Sequence, residues 1–332
     1  MHRALAALLL LVTVTGCSTP EAQRSTFAMN TMMSVTVYGS NCEDAADSAV
    51  SLINELSDKW SVTDENSEIY ALNSAGSANL SPETYELISF ALEMNSATEG
   101  ALDITLYPVL REWGFTTDEY RIPADKRLAE LLSFTGSDKV TLDRDAASLC
   151  NGTQVDLGAV AKGYAGDLLC KQLKAQGIES ALLDLGGNIH TIGSRPDGSA
   201  WKLGVRDPDG SGNIAVLQLS DMAAVTSGGY ERYFIGEDGR HYCHILDPAT
   251  GRPADSGLVS ATVVGSEGRL CDALSTAVYV MGAEKAHSLW KRLGGFELLM
   301  LTSDGDILIT SGLSSSVTAS DDFSGDIIIL ER

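Results

Sequence analysis

The sequence predicts an α+β fold, with mixed sheets and flanking helices in a single unit, and three observations carry that reading. Apolar residues recur at helical spacing in some segments and alternate at strand spacing in others. The two kinds of segment are interspersed without the regular strand-helix-strand rhythm of a doubly wound sheet. No long linker divides the chain and no repeat of fixed period appears.

Each element has a local signal. "SVTVYG" (34–39) alternates as a strand does, and "CEDAADSAVSLINELSDKW" (42–60) sets Ala45, Ala49, Leu52, Ile53, Leu56 and Trp60 on one helical face. Ser81 before Pro82 marks an N-cap and a first helical position, and Gly100 stops that helix. "ALDITLYPVLREWGF" turns through Pro108 into a short helix. "VDLGAVAKGYAGD" (155–167) runs from an apolar strand through small residues into a helix with Lys162 in its first turn. Strands dominate from 137 onward: "KVTLD", "SALLDLGGNIHTIG", "WKLGV" and "AVLQL". Near the end, "CDALSTAVYVMG" and "AEKAHSLWKRLGG" read as helices, and "FELLMLTSDGDILIT" as a hairpin across Ser303-Asp304-Gly305.

The formal charge is −22. With no basic stripe to collect phosphates by counterion release, nucleic-acid binding is excluded, and the acidity reads as solubility. An anionic ligand would need local positive groups or a metal.

At the N-terminus, His2 and Arg3 precede an apolar stretch from Ala4 to Thr13. That length suits a signal peptide and falls short of the roughly 20 residues a spanning helix needs. Val14-Thr15-Gly16-Cys17 resembles the lipobox of bacterial lipoproteins, in which the cysteine is diacylated and becomes the first mature residue. The expected organisation is a signal peptide over 1–16, a lipidated polar tether over 17–25 and one domain over 26–332. The alternative is a plain secretory signal. Five cysteines remain after Cys17, scattered and without a C-x-x-C, which suggests buried free thiols rather than a disulfide framework or zinc site.

Common nucleotide signatures fail. Gly158 and Gly163 have Walker spacing, but Tyr164 stands where a lysine belongs, and no G-x-G-x-x-G follows the first strand. Lys162 raises a different question. A helix N-terminus is the positive end of the macrodipole, so a cation there is disfavoured by roughly 0.3–1 kcal/mol unless something anionic sits beside it. Asp272, Ser275 and Thr276 lie at i, i+3 and i+4, one face of a helix. A carboxylate with hydroxyls suits a hard cation such as Mg²⁺. Equally, Asp272 could partner a helix dipole while the hydroxyls back-bond their own helix. His244 in "HILDPATGRPA" is either structural or catalytic. Gly228 and Gly229 either admit a close ligand or form a tight turn. Trp60 reads as core, and Asp103 either caps "ITLYP" or binds a ligand.

Seven segments in order, "MNTMMSVTVYG", "ALDITLYPVL", "DLGAVAKGYAGD", "LLDLGGNIHTIG", "TSGGYERYF", "HILDPATGRP" and "CDALSTAVYVMG", resemble the ApbE family of FAD:protein FMN transferases and span residues 29–282. The resemblance implies a T-fold-related α+β architecture. It also implies transfer of FMN from FAD to a threonine or serine hydroxyl of an acceptor protein, with AMP leaving and Mg²⁺ required. By the same resemblance, FAD would contact Met29, Trp60, Ala101, Leu102, Asp103, Asp156, Lys162 and Leu246. Mg²⁺ would be held by the Ala159 carbonyl, Asp272 and Thr276, with Ser275 adjacent.

Lys162 would then face the FAD pyrophosphate at a helix N-terminus suited to anions. His244 is the expected base for the acceptor hydroxyl, because a neutral imidazole accepts a proton near pH 7. Where the family commonly has Met-Gly-Thr this chain has Met29-Asn30-Thr31. Asparagine is the least costly substitute for a glycine of positive φ. The expected setting is the extracytoplasmic (periplasmic) side of a membrane, held by the lipid alone, with an acceptor in a membrane electron-transfer complex. Two other readings of the same residues are an FAD pyrophosphatase and a non-catalytic FAD-binding lipoprotein.

Overall fold

The computed structural model describes residues 19–332 apart from Asp118 and Ser211, so the expected signal segment and Cys17 lie outside the described residues. A nine-stranded sheet forms the centre. Its strands are Glu21–Ala28, Thr31–Tyr38, Ser180–Asp184, Asn188–Ile192, Ala223–Gly228, Leu258–Gly265, Phe296–Thr302, Ile307–Thr310 and Ile327–Leu330, and they lie side by side in chain order. All neighbours are antiparallel except the last two, which run parallel. The α+β expectation therefore holds. One boundary does not: residues 21–25, expected in the polar tether, are the first half of the edge strand and pair with 34–38. Their exposure alternates along the strand, but Ala22 is the one apolar residue among them, which is why the sequence reads as linker.

One face of the sheet is covered by helices Cys42–Trp60, Ala161–Ala175, Gly268–Met281 and Ala283–Leu293. Part of the other face is covered by a three-stranded sheet of Trp201–Arg206, Asn213–Leu219 and Val317–Ala319. Val205, Ala215 and Leu217 pack there against Ala224, Val264 and Leu299. A satellite cluster of Leu106, Val109, Trp113, Phe115 and Leu246 holds the segment after Asp103 against the body. The first helix and its apolar face match the sequence reading, and Ser81 caps the helix Pro82–Ala97 by accepting from the Thr84 N–H. The five cysteines among the described residues are free; Cys42, Cys243 and Cys271 are buried, Cys150 is exposed and Cys170 is intermediate.

The helices Ala161–Ala175 and Gly268–Met281 make the contact that matters for function. Neither has a side-chain cap of its own at the N-cap position, which leaves N–H groups without helical partners. Each is capped by the other. Asp167 accepts from the N–H groups of Gly268 and Arg269 at 2.7 and 2.9 Å, and Asp272 accepts from the Gly163 N–H at 2.8 Å.

The approach this requires explains the glycines. A Cβ at Gly163 would stand 2.3 Å from the Gly268 carbonyl oxygen and 2.6 Å from the Asp272 Cβ. Gly166 and Gly268 both lie against the ring of buried His190, where added Cβ atoms would stand 1.9 and 2.0 Å from it. Overpacking of this kind costs about 1–3 kcal/mol. Gly163→Ala is expected to lower stability by that amount in urea unfolding, whereas Gly177→Ala, with nothing within 4 Å, would act only through its positive φ.

Candidate functional site

The start of the Lys162 helix, with Asp272 and Thr276 of its partner helix, opens onto one cavity of about 880 Å³, within the roughly 300–1,000 Å³ range of small-molecule sites. It lies between the Lys162 helix, the turn Met29-Asn30-Thr31, the segment 101–116, and strands of both sheets. Eleven of the sequence-predicted residues come together in its lining: Met29, Ala101, Leu102, Asp103, Asp156, Ala159, Lys162, His244, Leu246, Asp272 and Thr276. Both "DLG" tripeptides reach it as well, through Asp156 and Gly158 and through Asp184 and Gly186.

Two predicted residues do not reach the cavity. Trp60 is buried in the main core, where its Nε1–H donates to Thr84 Oγ1 at 3.0 Å and its ring lies 5.9 Å from that of Tyr164. Ser275 is fully buried, donates to the Asp272 carbonyl at 2.9 Å and pairs with Ser227 at 2.9 Å. The helical spacing that grouped Asp272, Ser275 and Thr276 thus splits them: Thr276 faces the cavity and Ser275 back-bonds its own helix.

At the hairpin turn, Met29 and Asn30 have φ of 47° and 62°, the left-handed region that asparagine tolerates better than most residues. Met29 is fixed by its N–H donating to Ser57 Oγ at 3.0 Å. Asp103 does cap its 3₁₀ turn, accepting from the Thr105 N–H at 2.8 Å, and still lines the cavity.

Buried carboxylates and cationic side chains share the cavity lining. Burial pushes the carboxyls of Asp272 and Asp156 upward, and the nearby Lys162 charge pulls both back down. Burial likewise raises Asp103. Lys162 and two residues the sequence reading missed, Arg206 and Arg232, supply the cavity's positive charge. Arg232 follows the glycine turn 228–229 that had been singled out, so the nearest signal was present but was read as backbone geometry alone. Its guanidinium is tied to the Phe115 carbonyl.

His244 is half-buried at the cavity wall, with Nδ1 3.1 Å from the Arg232 carbonyl. A carbonyl there only accepts, so Nδ1 carries the proton and Nε2 is left as a bare lone pair. Burial, reinforced by the charges of Arg232 and Lys162, lowers this imidazole to about 4. Among the described residues no group of three His, Cys, Asp or Glu could hold a metal. Asp272, Thr276 and Ala159, the residues the resemblance named for a metal, all line the cavity.

The sequence profile of the ApbE family matches residues 29–300. The chain belongs to the ApbE family. Among its curated relatives is an FAD:protein FMN transferase from Vibrio cholerae, 34% identical over 242 residues, covering 70% of this chain and 72% of that protein. Another bearing that name, from Treponema pallidum, is 31% identical over 326 residues and covers 91% of this chain and 90% of its own length. The ApbE protein from Thermotoga maritima superposes with a TM-score of 0.81 at 32% identity, covering 92% of this chain and 98% of that one. The flavin transferase ApbE from Vibrio cholerae gives 0.78 at 28% identity, covering 92% and 99%.

The His244 assignment makes a pH prediction. In an NMR titration of the ligand-free protein its imidazole stays neutral from pH 8 down to about 5, with a midpoint near 4; a midpoint at the ordinary value of about 6.5 would contradict the burial argument. His190 is also lowered to about 4 by burial. Unfolding frees both imidazoles to protonate at the ordinary value. Stability should therefore fall as pH drops from about 6.5 toward 4, by up to roughly 3 kcal/mol for each of them.

Proposed function

We propose that the chain transfers FMN from FAD to a threonine or serine hydroxyl of an acceptor protein, releasing AMP, with FAD bound in the 880 Å³ cavity. The observation that carries this reading is the juxtaposition of Lys162, at a helix N-terminus, with the Asp272 and Thr276 oxygens across the same cavity. The Lys162 ammonium, at the positive end of a helix dipole, suits a pyrophosphate. The donor set of one carboxylate, one hydroxyl and one carbonyl fits Mg²⁺, which keeps waters and shares its coordination with substrate phosphates. Charge supports the same reading: Asp103, Asp156, Asp184, Glu231 and Asp272 line the cavity against only Lys162, Arg206 and Arg232. A further cation would offset the excess of carboxylates beside a bound pyrophosphate. Bound at Asp272, Thr276 and Ala159, Mg²⁺ would supply neutralisation of the pyrophosphate oxygens.

The residues of the chain do the rest by positioning and charge. Ala101, Leu102 and Leu246 offer apolar surface to the rings of FAD, and Lys162 attracts the pyrophosphate. The acceptor hydroxyl attacks the FMN phosphorus, a new phosphoester bond forms, and the bond to the bridging oxygen breaks so that AMP departs with it. The hydroxyl proton passes to Nε2 of His244, the nitrogen its Arg232 contact leaves bare. A nearby pyrophosphate raises the basicity of that imidazole from its ligand-free value, because negative charge favours the imidazolium. We further propose that Cys17 is lipidated and holds the enzyme at the extracytoplasmic side of a membrane, where the acceptor belongs to an electron-transfer complex. With the first strand starting at Glu21, only Ser18, Thr19 and Pro20 separate the anchor from the sheet, so the domain would sit close to the bilayer.

The test uses the soluble chain from Ser18 with FAD, Mg²⁺ and an acceptor-domain fragment, following AMP and flavin fluorescence on a denaturing gel. AMP matched by a fluorescent acceptor is expected, and Asp272→Ala should abolish both. AMP with free FMN alone would replace the transferase by a pyrophosphatase. FAD bound without AMP would make the chain a binder, and full activity in Asp272→Ala would remove the metal assignment.

A further inference from the structure

The carboxylate of Asp272 has a second organiser besides the helix end, in a part of the molecule that the transferase reading leaves unused. Asn188 opens the strand Asn188–Ile192 and pairs in register with Val225 of the neighbouring strand. The residue is 0% exposed and lines the cavity. Its Oδ1 lies 2.9 Å from Nε2 of His190. An amide oxygen only accepts, so Nε2 of His190 is the donor, and the amide is held with Nδ2 on its other side. There Nδ2 comes within reach of the Asp272 carboxylate, yet it makes no hydrogen bond of full geometry to any protein atom. A buried amide N–H left without a partner is costly, so its persistence at this spot calls for an explanation in the working state of the site.

His190 has little freedom to let the amide turn. Its ring is wedged beneath the glycines of both helices, Gly166 and Gly268, which are the positions where any Cβ would collide with it. The imidazole therefore sets the amide, and the two helices set the imidazole. The Asp272 carboxylate then has the Gly163 N–H on Oδ2 and the Asn188 amide as a second donor nearby. A carboxylate has about four acceptor positions, so those facing the cavity stay available.

We propose that Asn188, oriented by His190, is a positioning residue that aims the Asp272 carboxylate at a divalent cation, and that its amide closes onto that carboxylate when the cation is bound. Removing such an outer partner typically lowers metal affinity 10–100-fold while leaving the ligands themselves in place. The inference rests on the reading of Asp272 as a cation ligand.

The experiment is a Mn²⁺ titration of the soluble chain, read by EPR with FAD present and no acceptor, together with riboflavin binding by fluorescence quenching. Asn188→Leu and the smaller change Asn188→Ser should each weaken Mn²⁺ binding 10–100-fold and leave riboflavin binding within twofold of wild type. His190→Leu should weaken Mn²⁺ in the same direction, and His190→Gln, which keeps a donor for Oδ1, should recover part of the loss. Mn²⁺ binding within twofold of wild type in either folded Asn188 variant would overturn the proposal, as would equal losses of Mn²⁺ and riboflavin, which mark a merely structural role. If wild type itself binds no Mn²⁺, the reading of Asp272 as a cation ligand falls, and the proposal with it. Wild-type binding with unchanged variants overturns the positioning role alone.

Discussion

The reciprocal capping of two helices is the constraint on which the rest of this molecule depends. Asp167 satisfies the N-terminus of the helix that carries Asp272, and Asp272 satisfies the N-terminus of the helix that carries Lys162. Each carboxylate meets N–H groups that have no helical partner, at the positive end of a dipole. The exchange works only because Gly163, Gly166 and Gly268 let the helices and the His190 ring come together without side chains between them. One packing solution thereby joins stability and chemistry, because the same contact sets the Lys162 cation and the Asp272 anion on one cavity wall.

This arrangement gives physical content to the odd position of Lys162. In isolation the lysine is disfavoured at a helix start, and Asp272 compensates part of that by bringing negative charge to the same end. The carboxylate is itself raised by burial, so neither group is fully matched within the protein. The cavity keeps a set of charges that an anion and a cation together would complete. That imbalance is local. The chain as a whole is strongly acidic, and the positive side chains at the cavity stand out against that background.

Much of the fold was legible in the sequence because its signals are local. The apolar stripe from Ala45 to Trp60, the Ser81-Pro82 helix start and the Ser303-Asp304-Gly305 turn each report on a few neighbouring residues, and each is where the sequence placed it. The first half of the edge strand was missed because strand pairing, not composition, defines it. The site was partly legible for the same reason. Lys162, Asp272 and Thr276 stand in segments with helical spacing, and the cavity collects them. Ser275 shows the limit: a helical face places a residue on a side of a helix, and only the packing of that helix decides whether the side meets core or cavity. Trp60 lies in the core where its helical face placed it, and only the family resemblance had set it against FAD. Asn188, Arg206 and Arg232 carried no spacing signal, since strand register and a loop bring them to the site from distant parts of the chain.

The central claim is that the Lys162 helix end recognises a pyrophosphate, not merely a flavin ring. Equilibrium binding of FAD and of riboflavin to the wild-type chain and to Lys162→Met, in the presence of Mg²⁺, tests it most directly. The account predicts that Lys162→Met weakens FAD binding at least tenfold, about 1.4 kcal/mol, and leaves riboflavin binding unchanged. Equal effects on the two ligands, or undiminished FAD affinity, would contradict it.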